Sequence, residues 1–284
     1  MDRNTVLIIV GAGCSTARLQ AFADSIPAQG VHAAFLVVSA APAMPVWAYG
    51  AAPYGPVIIP EGWMESYQAM GEAVASTAHE VEQILQKAGV EGEVRSAFSE
   101  LAYLDETVAA QAALCDFVFL DPALADEAQV SDAPLRGALL QSPVGVVLNS
   151  DAIAPVLAAR HPLIAWNTSQ PSVRAVHRAL PILKQAETVT IALFDPDAHH
   201  TTDGENPGAD VASWLSRHGC NVTVQQYPSG GREIGECILE KAVETGADLI
   251  VMGAYSHSRL KERLLGGTTQ TVIGQSRHPV LFAH

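Results

Sequence analysis

Close to the C-terminus, an apolar run ending at Met252 gives way to Gly253-Ala254-Tyr255-Ser256-His257-Ser258-Arg259-Leu260. Lys261 to Leu265 then lead into Gly266-Gly267-Thr268-Thr269. Glycines and small hydroxyl residues therefore gather where a strand ends and a helix is expected to begin. Glycine lets the backbone come close to a ligand, the free N–H groups of a helix start favour an anion, and threonine hydroxyls can donate to phosphate oxygens. The chemistry such a pattern serves is the cradling of phosphate, although glycine-rich strand-to-helix connections are also common as plain structure. Arg259, Lys261 and Arg263 flank the loop and could neutralise phosphate charge; an exposed cationic face would look the same.

Other reactive side chains are less organised. His199 and His200, with Asp195, Asp197 and Asp203 close by, could ligate a metal, but adjacent histidines in a polar loop are more often simply solvated, and no metal site is assigned. The sequence has no Ser/His/Asp set with supporting context, no HExxH and no Walker-type glycine-lysine loop, so no catalytic residue is assigned. Cys14, Cys115, Cys220 and Cys237 form no CxxC pair and no zinc-ligand spacing, and read as reduced core thiols.

The elements that must position the glycine loop follow from hydrophobic patterning. The second half gives strands at 163–167, 188–195, 221–227, 248–253 and 279–283, separated by helices at 171–185, 208–218, 232–245 and 268–276. Its strands are continuous apolar runs, the pattern of a parallel sheet covered on both faces. In such a doubly wound fold, ligands bind beyond the carboxyl ends of the strands where strand order reverses, so residues after the first and fourth strands become the candidates.

The chain also repeats itself. Leu19, Phe22 and Ile26 stand before Pro27 as Val173, Val176 and Leu180 stand before Pro181, each displaced by 154 positions, and Ser15 maps onto Ser169 at the same offset. Each triplet is expected to form one buried helix face. Cys115-Asp116-Phe117-Val118-Phe119-Leu120 matches Ala247-Asp248-Leu249-Ile250-Val251-Met252, and Ser142-Pro143-Val144 matches His278-Pro279-Val280. A repeat of about 140 residues implies duplicated domains rather than a solenoid, here expected at 1–150 and 151–284 of the 284 residues. The first copy carries an insertion at 40–60 with five prolines, Trp47, Tyr49 and Tyr54, readable as a flap, a lid or a connector. After it, Val74, Ala78, Val81, Leu85 and Ala88 repeat at helical spacing and are expected in a core.

The loop Gly253 to Leu260, the Gly266-Gly267-Thr268 segment and the closing Ser276-Arg277-His278-Pro279-Val280-Leu281 resemble the signature of the universal stress protein family, whose nucleotide-binding members carry G-x2-G-x9-G-S/T here. Leu163 to Ser169 and Arg174-Ala175-Val176 through Pro181 resemble the family as well, so the likeness spans 160–284; over 5–149 it rests on the repeat. The resemblance implies two tandem Rossmann-like, doubly wound α/β domains of the adenine-nucleotide alpha-hydrolase-like type, with five-stranded parallel sheets. It implies that Gly253, Gly266, Gly267, Thr268 and Thr269 contact ribose and phosphates, that Met252 lies beside the base, and that Phe194 lines the base pocket. Asn167 stands where many members have an aspartate facing adenine, and its amide offers both a donor and an acceptor.

Two departures qualify the match. Ser256 replaces the motif's second glycine; if that position needs a left-handed backbone, serine costs about 1 to 2 kcal/mol, roughly a five- to thirtyfold loss of affinity. In the first copy the residues after strand four are Asp121-Pro122-Ala123-Leu124-Ala125-Asp126-Glu127, which lack glycine and add three carboxylates. That copy is expected not to bind ATP.

The expected function is a stress-response protein whose C-terminal domain binds ATP or another adenine nucleotide, with Mg2+ as an optional companion. It is expected to be regulatory, or at most a slow ATPase; the alternative is a scaffold with both sites degenerate. Expected partners are the nucleotide, a protein of unknown identity, and the other half of the chain in a pseudo-dimer joined through the last strands, with a homodimer also open. A composition 49% hydrophobic and 16% charged fits a compact protein. The formal charge of -14 argues against nucleic acid, and no apolar stretch is long enough to span a bilayer. The apolar run from Val6 to Ala12 reads as a buried strand rather than a signal peptide, and a cytoplasmic location is expected.

Overall fold

A computed structural model of the chain describes residues 4–26, 30–45, 48, 59–127, 130, 132–196, 206–254, 267–275 and 277–284. By compactness the chain divides into two units, Met1–Cys115 with Leu120–Ser142, and Asp116–Phe119 with Pro143–His284.

The first unit contains β1 (Asn4–Gly11), α1 (Thr16–Asp24), β2 (Val31–Ala41), α2 (Trp63–Ala88), β3 (Gly92–Glu100) and α3 (Leu101–Ala112). After β4 (Phe117–Leu120) come a 3-10 turn (Pro122–Asp126) and α4 (Ala133–Leu140). Here β2 pairs in parallel with both β1 and β3. From Val6 to Val10 and from Ala33 to Val38 every side chain is buried, as expected of strands covered on both faces. On α2, Val74, Val81 and Leu85 are buried as the spacing predicts, while Ala88 is exposed and Thr77 takes a core place, its hydroxyl donating to Ala12 O at 2.7 Å. Most of the 40–60 insertion lies outside the described residues.

The second unit takes in β4 and continues with β5 (Gly145–Leu148), α5 (Ala154–Leu157), β6 (Pro162–Ala165), α6 (Gln170–Leu183), β7 (Val189–Phe194) and α7 (Ala209–Arg217). It ends with β8 (Val222–Tyr227), α8 (Ile234–Glu244), β9 (Leu249–Gly253), α9 (Gly267–Gln275) and β10 (Val280–Ala283). Its strand order is β4-β5-β10-β9-β6-β7-β8. The last five strands of the chain are mutually parallel, β4 is parallel to β5, and β5 meets β10 antiparallel. The order of the strands reverses at β6, which has β7 on one side and β9 on the other.

Two expectations need correction. Only Val176 of the Val173/Val176/Leu180 triplet is buried; Val173 is 38% exposed, and the stripe facing the sheet is Ser172, Ala175, Val176, Ala179, Ile182 and Leu183. Small residues there let α6 sit close to the sheet, whereas Leu19, Phe22 and Ile26 of the first copy are all buried. The second correction concerns β8, whose residues are half-buried or exposed throughout, because it is the edge strand of its sheet. Among the described residues no helix is long and apolar enough to cross a membrane.

Candidate functional site

The reversal of strand order between β6 and β9 opens the crevice in which a doubly wound sheet takes its ligand. The register sets Ala165 beside Met252, so the chain leaves β6 through Trp166 and Asn167 next to the point where it leaves β9 through Gly253. Met252 is buried at the end of its strand. A side chain at Gly253 would collide with Ser172 N and stand 2.8 Å from Pro171 Cβ, so glycine is what allows the first turn of α6 to pack on the end of β9. This steric demand exists without any ligand.

Asn167 is held from the same turn. Its N–H donates to Ser172 Oγ at 3.4 Å, and the Ser172 hydroxyl lies 3.4 Å from Ala165 O. Ser169, the N-cap of α6, accepts Ser172 N–H on its hydroxyl at 3.4 Å and donates that hydroxyl to Asn167 Oδ1 at 2.5 Å. Asn167 and Gly253 thus belong to one constellation, built around the start of α6.

Phe194 ends β7, its ring 5.6 Å from that of Tyr227 at the end of β8, and Lys241 Nζ stands 5.0 Å from the Tyr227 ring centroid. The next residue, Asp195, has a φ of 48° and accepts Ser229 N–H at 2.8 Å; hydrogen bonding from Ser229 holds its carboxyl below the usual range. Gly267, Thr268 and Thr269 form the first turn of α9: Gly267 is exposed, Thr268 half-buried and Thr269 buried. Among the described residues, a Cβ at Gly267 would meet nothing within 4 Å. At Gly235 of α8 a Cβ would lie 2.9 Å from Thr268 O, which shows how closely α8 supports the head of α9. Ser256 and Gly266 lie outside the described residues, as do Arg259, Lys261, Arg263 and the His199-His200 pair with Asp197 and Asp203.

Residues 222–284 match the model of the universal stress protein family. Within the chain, 46 residues are 46% identical to universal stress protein MJ0577 of Methanocaldococcus jannaschii, covering 16% of this chain and 28% of that relative. The C-terminal part of the chain is thus similar to the universal stress protein family. The likeness in fold reaches further than the matched segment. The chain superposes on a universal stress protein of Archaeoglobus fulgidus DSM 4304 with a TM-score of 0.62 at 17% identity, covering 99% of this chain and 96% of the other. A protein of Pseudomonas aeruginosa UCBPP-PA14 classed with the universal stress proteins gives 0.54 at 15% identity, with 98% and 92% covered. The two-copy α/β arrangement is therefore that of universal stress protein structures along nearly the whole chain.

The equivalent place in the first copy is built from different chemistry. Gly11 ends β1, and a side chain there would run into the Glu127 carboxylate. Asp121, 2% exposed, accepts Arg18 Nε at 2.9 Å and also pairs with the other end of that guanidinium; it caps the 3-10 turn by accepting Ala123 N–H at 3.1 Å, and takes the Cys14 thiol at 3.3 Å. Burial first, and then the Asp121 charge, push the Cys14 thiol up to about 12. The same two causes raise Glu127 above the ordinary carboxylate range. The charges of Asp121 and Glu127, with Arg18 paired to Asp121, disfavour a polyanion there.

The sequence reading missed Ser172 and the bonding role of Ser169. The signal was present in Asn167-Thr168-Ser169-Gln170-Pro171-Ser172, where a polar cluster with proline near its end follows an apolar strand, the usual writing of a capped helix start.

Proposed function

We propose that the C-terminal copy binds ATP or a related adenine nucleotide, and that this protein is regulatory rather than catalytic. Support comes chiefly from the placement of Asn167 and Gly253 at the reversal between β6 and β9, together with Gly267, a glycine at a helix head whose Cβ would meet no described atom within 4 Å. In this reading the base lies near Asn167, Met252 and Phe194, and the phosphates lie over Gly266, Gly267 and Thr268 with Thr269 supporting them from beneath. The donors suit that division: an amide at the base end, and backbone N–H groups with a hydroxyl at the phosphate end. Among the described residues no three His, Cys, Asp or Glu side chains meet to hold a metal. A Mg2+ ion would be carried by phosphate oxygens and water, which is its ordinary habit. Bound nucleotide would act by favouring one conformation over another, and so one partner surface over another.

The first copy, in the same reading, binds no nucleotide, because the Glu127 carboxylate lies over Gly11. A second reading, a scaffold with both sites closed, draws on one observation: Gly253 has a packing reason of its own. Titration of the whole protein with ATP separates the two, with Gly266→Glu as the control that places a carboxylate among the phosphates. Loss of binding in that variant, with folding intact, supports the nucleotide reading; unchanged binding removes it.

A further inference from the structure

We propose that the base edge of this site prefers a 6-oxo purine to adenine, because the Asn167 amide is held with its donor outward. The inference rests on the reading above that Asn167 faces the base.

The orientation of an amide is settled by a partner whose role cannot change. Ser169 N–H can only donate, and it points at one atom of the Asn167 amide at 3.4 Å; that atom must be Oδ1. The Ser169 hydroxyl converges on the same oxygen at 2.5 Å while accepting Ser172 N–H. The backbone behind is fixed too, through Asn167 N–H on Ser172 Oγ. Oδ1 is taken by two donors, Asn167 is an exposed residue, and the Nδ2 hydrogens have no acceptor among the described residues.

An aspartate at this place would offer a free acceptor, suited to the exocyclic amine of adenine. Asn167, pinned in this way, offers donors. Donor would face donor at adenine N6, leaving only the ring nitrogens beside it to accept, whereas the O6 of hypoxanthine or guanine accepts at that position itself. The ligand class is therefore a nucleoside phosphate with a carbonyl at purine position 6.

ITP and ATP share ribose and phosphates, so their ratio isolates this edge. Calorimetric titration of the whole protein with each, in Mg2+, is expected to give ITP about three- to tenfold tighter, the net worth of one hydrogen bond. Asn167→Asp should reverse the order, and Ser169→Ala, which frees the amide to turn, should narrow the ratio. ATP equal to or tighter than ITP in the unaltered protein overturns the inference and leaves the nucleotide site standing. Failure of both to bind at millimolar concentration overturns the nucleotide reading itself.

Discussion

The carboxylate of Glu127 lies against the backbone of Gly11, in the first copy's counterpart of the place that Asn167 and Gly253 share in the second. One copy of a duplicated fold thus keeps its crevice lined with amides and hydroxyls, while the other fills it with an acid. The proton balance of that acid makes the difference measurable.

Glu127 is raised by burial and by the charge of Asp121, so the native state holds its proton more tightly than the unfolded chain does. Native protein then binds more protons just above the ordinary glutamate range, and stability falls as pH rises through the folded value. The contribution is complete below the unfolded pKa and lost above the folded one. Glu127→Gln should therefore be more stable than the unaltered protein at pH 7, and the advantage should shrink as pH falls toward the ordinary glutamate value of about 4.3 and be gone below it. Urea midpoints across pH measure this; a Gln variant with the same pH dependence as the parent would contradict it.

Arg18 is the cation that answers Asp121, whose side chain is 1% exposed. Arg18→Met would leave a buried carboxylate without its partner and should cost on the order of 3 kcal/mol. The double change Arg18→Met with Asp121→Asn should recover much of that. Equal loss in the single and double variants would mean that the pair does not govern the region.

Gly253 and Gly267 should behave oppositely. Gly253→Ala forces the head of α6 away from β9 and should destabilise by about 1 to 3 kcal/mol, whereas Gly267→Ala meets no described atom within 4 Å and should leave the urea midpoint close to that of the parent. Nucleotide affinity, by contrast, should fall in the Gly267 variant if the backbone there approaches phosphate. Loss of stability from Gly267→Ala would show that its reason is packing after all.

None of the four cysteines is in a disulfide, and Cys14, Cys220 and Cys237 are buried. Cys115, half-buried, should be alkylated first, and Cys14, with its thiol pushed up to about 12, should resist labelling at pH 8 to 9 until the protein unfolds. Mass mapping after brief iodoacetamide treatment checks the order. Early labelling of Cys14 would contradict the buried Asp121 contact.

Much of this fold was legible beforehand. The strands and helices of residues 162–284 fall within about two residues of their expected bounds, because continuous apolar runs and three-four spacing are local signals. Which side of a helix meets the sheet was less legible. The spacing of Val173, Val176 and Leu180 puts them on one side of α6, but Ser172, Ala175 and Ala179 are the residues small enough to let the helix approach. At the site, glycine at 253 was readable as glycine, yet its collision with Pro171 and Ser172 depends on β6 and β9 meeting although Ala165 and its partner Met252 are 87 positions apart in sequence. The acids of Asp121 to Glu127 were readable as repulsive; that Glu127 lies over Gly11 needed the fold.

The most direct measurement of the central claim is the stoichiometry of ATP bound per chain at saturation. One nucleotide per chain, abolished by Gly266→Glu and untouched by Glu127→Gln, is the expected result. No binding at millimolar ATP, or two nucleotides per chain, would contradict the assignment of a single site to the second copy.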